Sequence, residues 1–274
     1  MENNIKEKVI VALDYPDLKP AGLLLEKLDG EAYFYKIGSE FFTSCGAKSI
    51  ELVKNYGGKI FLDLKFHDIP NTVYNAVKSA GKLGADIINV HASGGIDMMK
   101  AAKKGCKEAE DAAGKHIDII AVTVLTNLSG GDVSDIFYNL GEENNIFPIC
   151  EPVSEAAGKR RDKGISRGSS NNAASLLALH LAKLAWAAEM DGVVCSALES
   201  FKIKKIFGKN FKAVTPGIRL KSKNIKDDQK RITTPSEAFN SGADYIVVGR
   251  EITGAENPAA ALRDIYSDIE NNRG

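Results

Sequence analysis

Eight short apolar runs alternate with longer segments of helical period along nearly the whole of this chain, and that alternation limits its fold more than any other feature. The runs are Val9–Leu13, Tyr33–Ile37, Ile60–Leu64, Ile87–Val90, Ile119–Val124, Gly192–Cys195, Lys212–Thr215 and Tyr245–Val248. Most are rich in β-branched residues and apolar at successive positions, so both sides of the pleat must be buried, as in a parallel sheet covered by helices. Helical period runs through Leu18–Leu28, Ala47–Asn55, Thr72–Leu83, Ile96–Glu110, Ala173–Met190, Glu199–Phe207, Pro235–Ser241 and Pro258–Asn271. Gly30, Gly57, Gly84 and Gly242 stand where a helix would stop before the next strand, and Gly-Ala-Asp occurs at two of these junctions, 84–86 and 242–244. Eight β-then-α units in 274 residues predict the α/β class: one domain over 1–274, a single (β/α)8 TIM barrel. An open doubly wound sheet shares the pattern, but its usual nucleotide signals, GxGxxG after the first strand or GxxxxGK[ST], do not occur.

The rhythm breaks once, between Thr126 and Asp191, where the chain is far longer than one loop and one helix require. The middle of this stretch, about 141–172, carries Glu-Glu-Asn-Asn, Gly-Lys-Arg-Arg-Asp-Lys-Gly and Gly-Ser-Ser-Asn-Asn. It reads as a surface insertion after the fifth strand, a lid or a disordered segment.

Lys plus Arg and Asp plus Glu both number 36, so there is no general electrostatic case for a nucleic-acid or anionic-membrane partner; a local basic pocket is still allowed. The five-residue apolar run Val9–Leu13 is too short for a signal-peptide core or a membrane span. Cys45, Cys106, Cys150 and Cys195 are spread without a CxxC pair, as reduced structural thiols would be. The expected location is cytoplasmic.

The third run and its exit read Phe61-Leu-Asp-Leu-Lys-Phe-His-Asp-Ile-Pro-Asn-Thr72. On a strand Asp63 and Lys65 share one face, with Leu62 and Leu64 on the other. The first run ends at Leu13-Asp14 and the second at Tyr35-Lys36-Ile37-Gly38, so three successive strand ends deliver Asp14, Lys36, Asp63 and Lys65 to one rim, with Asp68 beside it. That rim is where βα loops build active sites in a barrel. One strand-end Asp or Lys is usually a surface ion pair; five groups converging this way read as catalytic machinery.

Thr215-Pro-Gly-Ile-Arg219 follows the seventh run and Val248-Gly-Arg250 the eighth. Loops after these two strands are common phosphate sites in barrels, and an Arg can clamp phosphate oxygens bidentately. The polar loop from Leu220 through Gln229 is long enough to close over a ligand. His67 and His91 lie near strand ends, but with no HExxH and no His/Cys cluster at zinc spacing they read as packed or hydrogen-bonded histidines. Neither Ser93 nor Ser196 has the context of a nucleophile elbow.

The string Asp63-Leu-Lys-Phe-His-Asp-Ile-Pro-Asn-Thr72 closely resembles the signature of the orotidine 5′-phosphate decarboxylases. The match extends in order through Val11–Asp14, Lys36–Gly38, Asn89-Val-His-Ala-Ser-Gly-Gly95, Ala121–Thr126, Asp191–Ser196, Thr215–Arg219, Asp228-Gln229 and Val248–Arg250. The resemblance implies a lyase of de novo pyrimidine biosynthesis that converts orotidine 5′-phosphate to UMP and CO2 without metal or organic cofactor. It implies a homodimer in which Lys36, Asp63, Lys65 and Asp68 form a charged network, Asp68 reaching in from the partner subunit, and in which Lys65 protonates C6. By the same match Asp14, Lys36 and Thr72 bind ribose hydroxyls, Thr72 from the partner, and Thr126 faces the pyrimidine. Gln229, Gly249 and Arg250 hold the phosphate beside Arg219, and Ile69 and Pro216 complete the substrate-binding set. The stretch after the fifth strand departs from the pattern, running about thirty residues beyond typical short relatives.

Two other readings compete. Sugar-phosphate relatives, the 3-keto-gulonate-phosphate decarboxylases and hexulose-phosphate synthases, resemble the same family and share Asp-x-Lys-x-x-Asp, but use Mg²⁺; Ile69-Pro-Asn-Thr72 and the Gln229 loop favour the pyrimidine reaction. A non-catalytic nucleotide-binding barrel would need no proton donor such as Lys65.

Overall fold

The computed structural model describes residues 5–137, 167–220 and 233–272, so Cys150, Asp228, Gln229 and most of the expected insertion at about 141–172 lie outside the described residues. The strands are β1 (Val9–Leu13), β2 (Phe34–Gly38), β3 (Lys59–Phe66), β4 (Ile87–His91), β5 (Asp118–Val122), β6 (Gly192–Val194), β7 (Lys212–Thr215) and β8 (Tyr245–Val248). Each pairs in parallel with the one before it, and β8 returns to β1, closing the barrel.

Because strand side chains alternate, the sheet serves two cores. Val9, Val11, Leu13, Tyr35, Ile37, Ile60, Leu62, Ile88 and Val90 pack outward against the helices. Ile10, Ala12, Phe34, Phe61, Ile87, Ile120, Val214 and Val247 form a separate cluster filling the barrel interior. Apolar burial on both faces is why the strands read as continuous apolar runs rather than as alternating ones.

The outer layer comprises α1 (Leu18–Lys27), α2 (Ser39–Cys45), α3 (Ala47–Asn55), α4 (Pro70–Lys82), α5 (Gly95–Ala113), α6 (Gly130–Phe137), α7 (Arg167–Ala187), α8 (Ala197–Phe207), α9 (Pro235–Asn240), α10 (Arg250–Thr253) and α11 (Pro258–Asn271). Helix α2 was not expected; Gly46, at φ +57°, breaks the chain between it and α3 and hides the period. Helix α7 begins at Arg167 rather than Ala173, and with α6 it occupies the long stretch between β5 and β6. Among the described residues no helix is long and apolar enough to cross a membrane.

Aspartates fasten the N-terminal end of the barrel. Asp86, just before β4, donates its N–H to Ile60 O and accepts the Ile60 N–H on Oδ2, both at 2.8 Å. Asp191 does the same with Ile119, and Asp244 with Ala213, their carboxylates accepting at 2.9 and 2.7 Å. Each carboxylate also holds a lysine: Lys115 at 3.0 Å, Lys103 at 2.5 Å and Lys204 at 2.5 Å. Two of the three belong to the repeated Gly-Ala-Asp, whose glycines both take φ +96°, a turn that a Cβ would strain.

Candidate active site

The parity that puts Phe34 and Phe61 inside the barrel also puts Lys36 and Asp63 inside it, two residues nearer the C-terminal mouth. Lys36 Nζ lies 2.9 Å from Asp14 Oδ1 and 3.5 Å from Asp63 Oδ2, and Lys65 Nζ lies 2.8 Å from Asp63 Oδ1. The side chains of Lys36 and Asp63 are only 12% and 11% exposed. Burial pushes the Lys36 ammonium down, but the carboxylates of Asp63 and Asp14 outweigh it and leave its pKa above the usual lysine range. The two carboxylates thus keep the Lys36 ammonium charged at a depth where burial alone would oppose it.

Lys65 reaches Asp63, but not by the regular alternation its spacing suggests. The β3–β4 ladder pairs Leu62 with Ile88 and next Phe66 with Val90, so a four-residue step on β3 faces a two-residue step on β4. Within this bulge Lys65 takes φ +52°. Such a backbone costs a residue with a Cβ roughly 1–2 kcal/mol and persists only where surroundings hold it. Here the holder is Asn89, fully buried on β4, whose Oδ1 accepts the Lys65 N–H at 2.8 Å and whose Nδ2 donates to Asp63 Oδ1 at 2.6 Å. Asn89 carried one signal in the sequence, a polar residue at an interior position of an apolar run, from which no role followed.

These groups line one side of a cavity of about 270 Å³ at the barrel mouth, and Thr126, Pro216, Arg219, Gly249 and Arg250 line the rest with apolar neighbours. Arg219 is 8% exposed and donates from Nη1 to Ile218 O at 2.8 Å. The cavity therefore brings acid–base groups on the β1–β3 side together with two guanidinium groups on the β7–β8 side.

Asp68, Ile69 and Thr72 are not part of this lining. They sit exposed where β3 runs into α4, Ile69 at 67%, and Asp68 Oδ1 accepts the Ile69 N–H at 2.6 Å. The His67 and His91 rings are 5.5 Å apart, and burial, with the nearby charges of His67 and Lys65, pushes His91 down. Among the described residues no three His, Cys, Asp or Glu side chains are grouped to hold a metal ion. Ser196 caps α8, bonded through its hydroxyl to Glu199 in a capping box.

The family model described as orotidine 5′-phosphate decarboxylase / HUMPS matches residues 7–147 and 154–265. The chain belongs to this family. It is 41% identical over 266 residues to a Fusobacterium nucleatum protein named orotidine 5′-phosphate decarboxylase, covering 97% of each chain. A Moorella thermoacetica protein of the same name is 40% identical, over 97% of this chain and 93% of its own. A crystal structure titled orotidine 5′-phosphate decarboxylase from Lactobacillus acidophilus superposes with a TM-score of 0.73 at 37% identity, over 96% of this chain and 99% of that one. Because the F. nucleatum relative matches end to end, the long stretch after β5 is no addition relative to it. The lysines and aspartates of the cavity thus belong to an orotidine 5′-phosphate decarboxylase / HUMPS barrel, where the β3 string Asp63–Thr72 first pointed.

Proposed function

We propose that this chain converts orotidine 5′-phosphate to UMP and CO2, with Lys65 as proton donor. The observation that carries the proposal is the contact between the Lys65 ammonium and the Asp63 carboxylate, 2.8 Å, at one side of a cavity that Arg219 and Arg250 also line. Phosphate is held by Arg219, Arg250 and the backbone at Gly249, with Gln229 assigned to the same task; Asp14 and Lys36 take ribose hydroxyls, and Thr126 and Pro216 meet the pyrimidine. When the bond from C6 to the carboxylate carbon breaks, CO2 leaves and the electron pair stays on C6. The fixed ammonium of Lys65 stabilises that charge and transfers one proton to C6; the neutral amine then regains a proton from solvent. Phosphate gripped far from C6 supplies binding energy that orders the charged groups. No metal or organic cofactor enters these steps.

In the same proposal the protein is a cytoplasmic homodimer, and the exposed Asp68, Ile69 and Thr72 complete the site of a partner subunit. Their place outside the lining of their own cavity supports this reading.

The test is loss of orotidine 5′-phosphate absorbance in the presence of EDTA, for the wild type and for Lys65→Ala. Turnover by the wild type and near-complete loss in the variant are expected. A folded wild type without turnover rejects the assignment and directs attention to the Mg²⁺-dependent sugar-phosphate reading, which shares Asp-x-Lys-x-x-Asp.

A further inference from the structure

Asn89 lies on β4 with the parity of Ile87, whose side chain is in the barrel interior, and it is completely shielded from solvent. Its amide makes two hydrogen bonds: Nδ2 donates to Asp63 Oδ1 at 2.6 Å, and Oδ1 accepts the backbone N–H of Lys65 at 2.8 Å. The chemistry of the partners fixes this orientation, since an ionised carboxylate has no proton to give and a backbone N–H no lone pair to receive one.

We propose that Asn89 is the positioning residue for the Lys65–Asp63 pair, setting both the rotation of the carboxylate and the backbone from which the ammonium is aimed. The inference rests on the decarboxylation proposed above and assigns a task to a side chain that does not line the cavity. Asp63 divides its oxygens: Oδ1 faces Asn89 and Lys65, while Oδ2 faces Lys36 at 3.5 Å. The Asn89 donor is the β4 hydrogen bond that fixes the rotation of a carboxylate whose two oxygens face different lysines. Lys65, meanwhile, has left the regular ladder, where its N–H would have bonded a neighbouring strand's carbonyl. Asn89 Oδ1 supplies the missing acceptor at the residue whose φ is +52°. One buried amide therefore couples the position of the proton donor to that of its counter-ion.

Leucine has the branching of asparagine but bulkier methyl groups in place of the polar atoms, so Asn89→Leu, which removes both bonds, is the first variant. Asn89→Asp is the second; it retains an acceptor for the Lys65 N–H but sets a carboxylate against Asp63. For each, kcat and KM for orotidine 5′-phosphate, affinity for UMP, thermal unfolding and hydrogen exchange of the Lys65 amide are measured beside the wild type.

Both variants are expected to fold and to bind UMP within about threefold of the wild type, with kcat lowered about 100-fold, the scale of loss when a reacting group is misplaced by about 1 Å. The Lys65 amide exchanges faster in Asn89→Leu and stays protected in Asn89→Asp. A kcat of Asn89→Leu within about threefold of the wild type overturns the proposal. So does a parallel loss of kcat and UMP affinity, or failure of both variants to fold, since each means a structural role alone. Should the wild type itself not turn over orotidine 5′-phosphate, the proposed reaction fails on its own account. The Lys65 amide then still decides the present point: faster exchange in Asn89→Leu supports it, and unchanged exchange overturns it.

Discussion

Gly38 and Lys36 face the same way on β2, and a Cβ at Gly38 would lie 2.7 Å from Lys36 Nζ and 3.0 Å from Asp14 Oδ1. The room that lets the ammonium and the Asp14 carboxylate meet is the room of a missing methyl group.

Gly38→Ala therefore tests the charged chain without touching a charge. Its φ of −91° suits alanine, so the backbone does not object. The ammonium must move, and with it the Lys36 contacts to Asp14 and Asp63. We expect a melting temperature close to that of the wild type and a fall of kcat/KM of about 10- to 100-fold, equivalent to roughly 1.4–2.8 kcal/mol. Unchanged steady-state kinetics in the folded variant would show that the Lys36–Asp14 contact does not matter for turnover.

Lys36 also gives a pH dependence with a definite sign. Its pKa is raised by Asp63 and Asp14 against burial, so the stability it contributes is fully present below the ordinary lysine pKa of about 10.4 and is lost as pH rises through the higher folded value. Replacing Asp63 by Asn removes the larger of the two raising charges and leaves Asp14 alone to oppose burial. A ¹⁵N-NMR titration of the Lys36 amine should then find its midpoint moved to lower pH in Asp63→Asn. A midpoint that stays or rises would contradict the account of this site.

The opposite end of the barrel should separate stability from activity. Asp244→Ala removes the acceptor for the Ala213 N–H and the carboxylate paired with Lys204, which keeps its bonds to Lys209 O and Phe211 O, a loss of about 1–3 kcal/mol. For a chain of this size that corresponds to a fall in Tm of roughly 3–10 °C. The KM for orotidine 5′-phosphate should stay within about twofold, because none of Asp244, Ala213 and Lys204 lines the cavity. A large rise in KM with unchanged Tm would reverse the assignment of the two ends.

The strands were legible because burial on both faces left eight apolar runs that nothing else in the chain imitates. β1, β7 and β8 match their expected limits residue for residue, while β3 extends over Lys59 at one end and Lys65–Phe66 at the other, where it pairs with Phe34 and Val90. The short helices α2, α6 and α10 were missed, since one or two turns carry too little period to read. In the site, Asp14, Lys36 and Asp63 follow from counting in twos along interior positions. Lys65 satisfies the same count for a different reason, the bulge and its φ of +52°, which spacing does not reveal. Asn89 escaped because an amide inside a strand looks like any buried polar residue until its two partners are known. Asp68, Ile69 and Thr72 read together with the others in sequence, yet in one chain they stand apart from the cavity.

In a strand apolar on both faces, hydrophobicity alone cannot tell one alignment with its neighbour from the next. A one-residue slip in β3 would carry Asp63 into the helix layer and bring Leu62 or Leu64 to the mouth in its place. The contacts that such a slip would break are those of Asp63 itself, to Lys36, Lys65 and Asn89, whereas Asp86 holds only the backbone N–H and carbonyl of Ile60 and fastens the alignment those contacts select. The fastening lies five residues before Lys65 on β3, roughly 16 Å away at about 3.3 Å per residue. The charged groups at one mouth thus set the register on which their own chemistry depends, and the fastening at the other mouth keeps it.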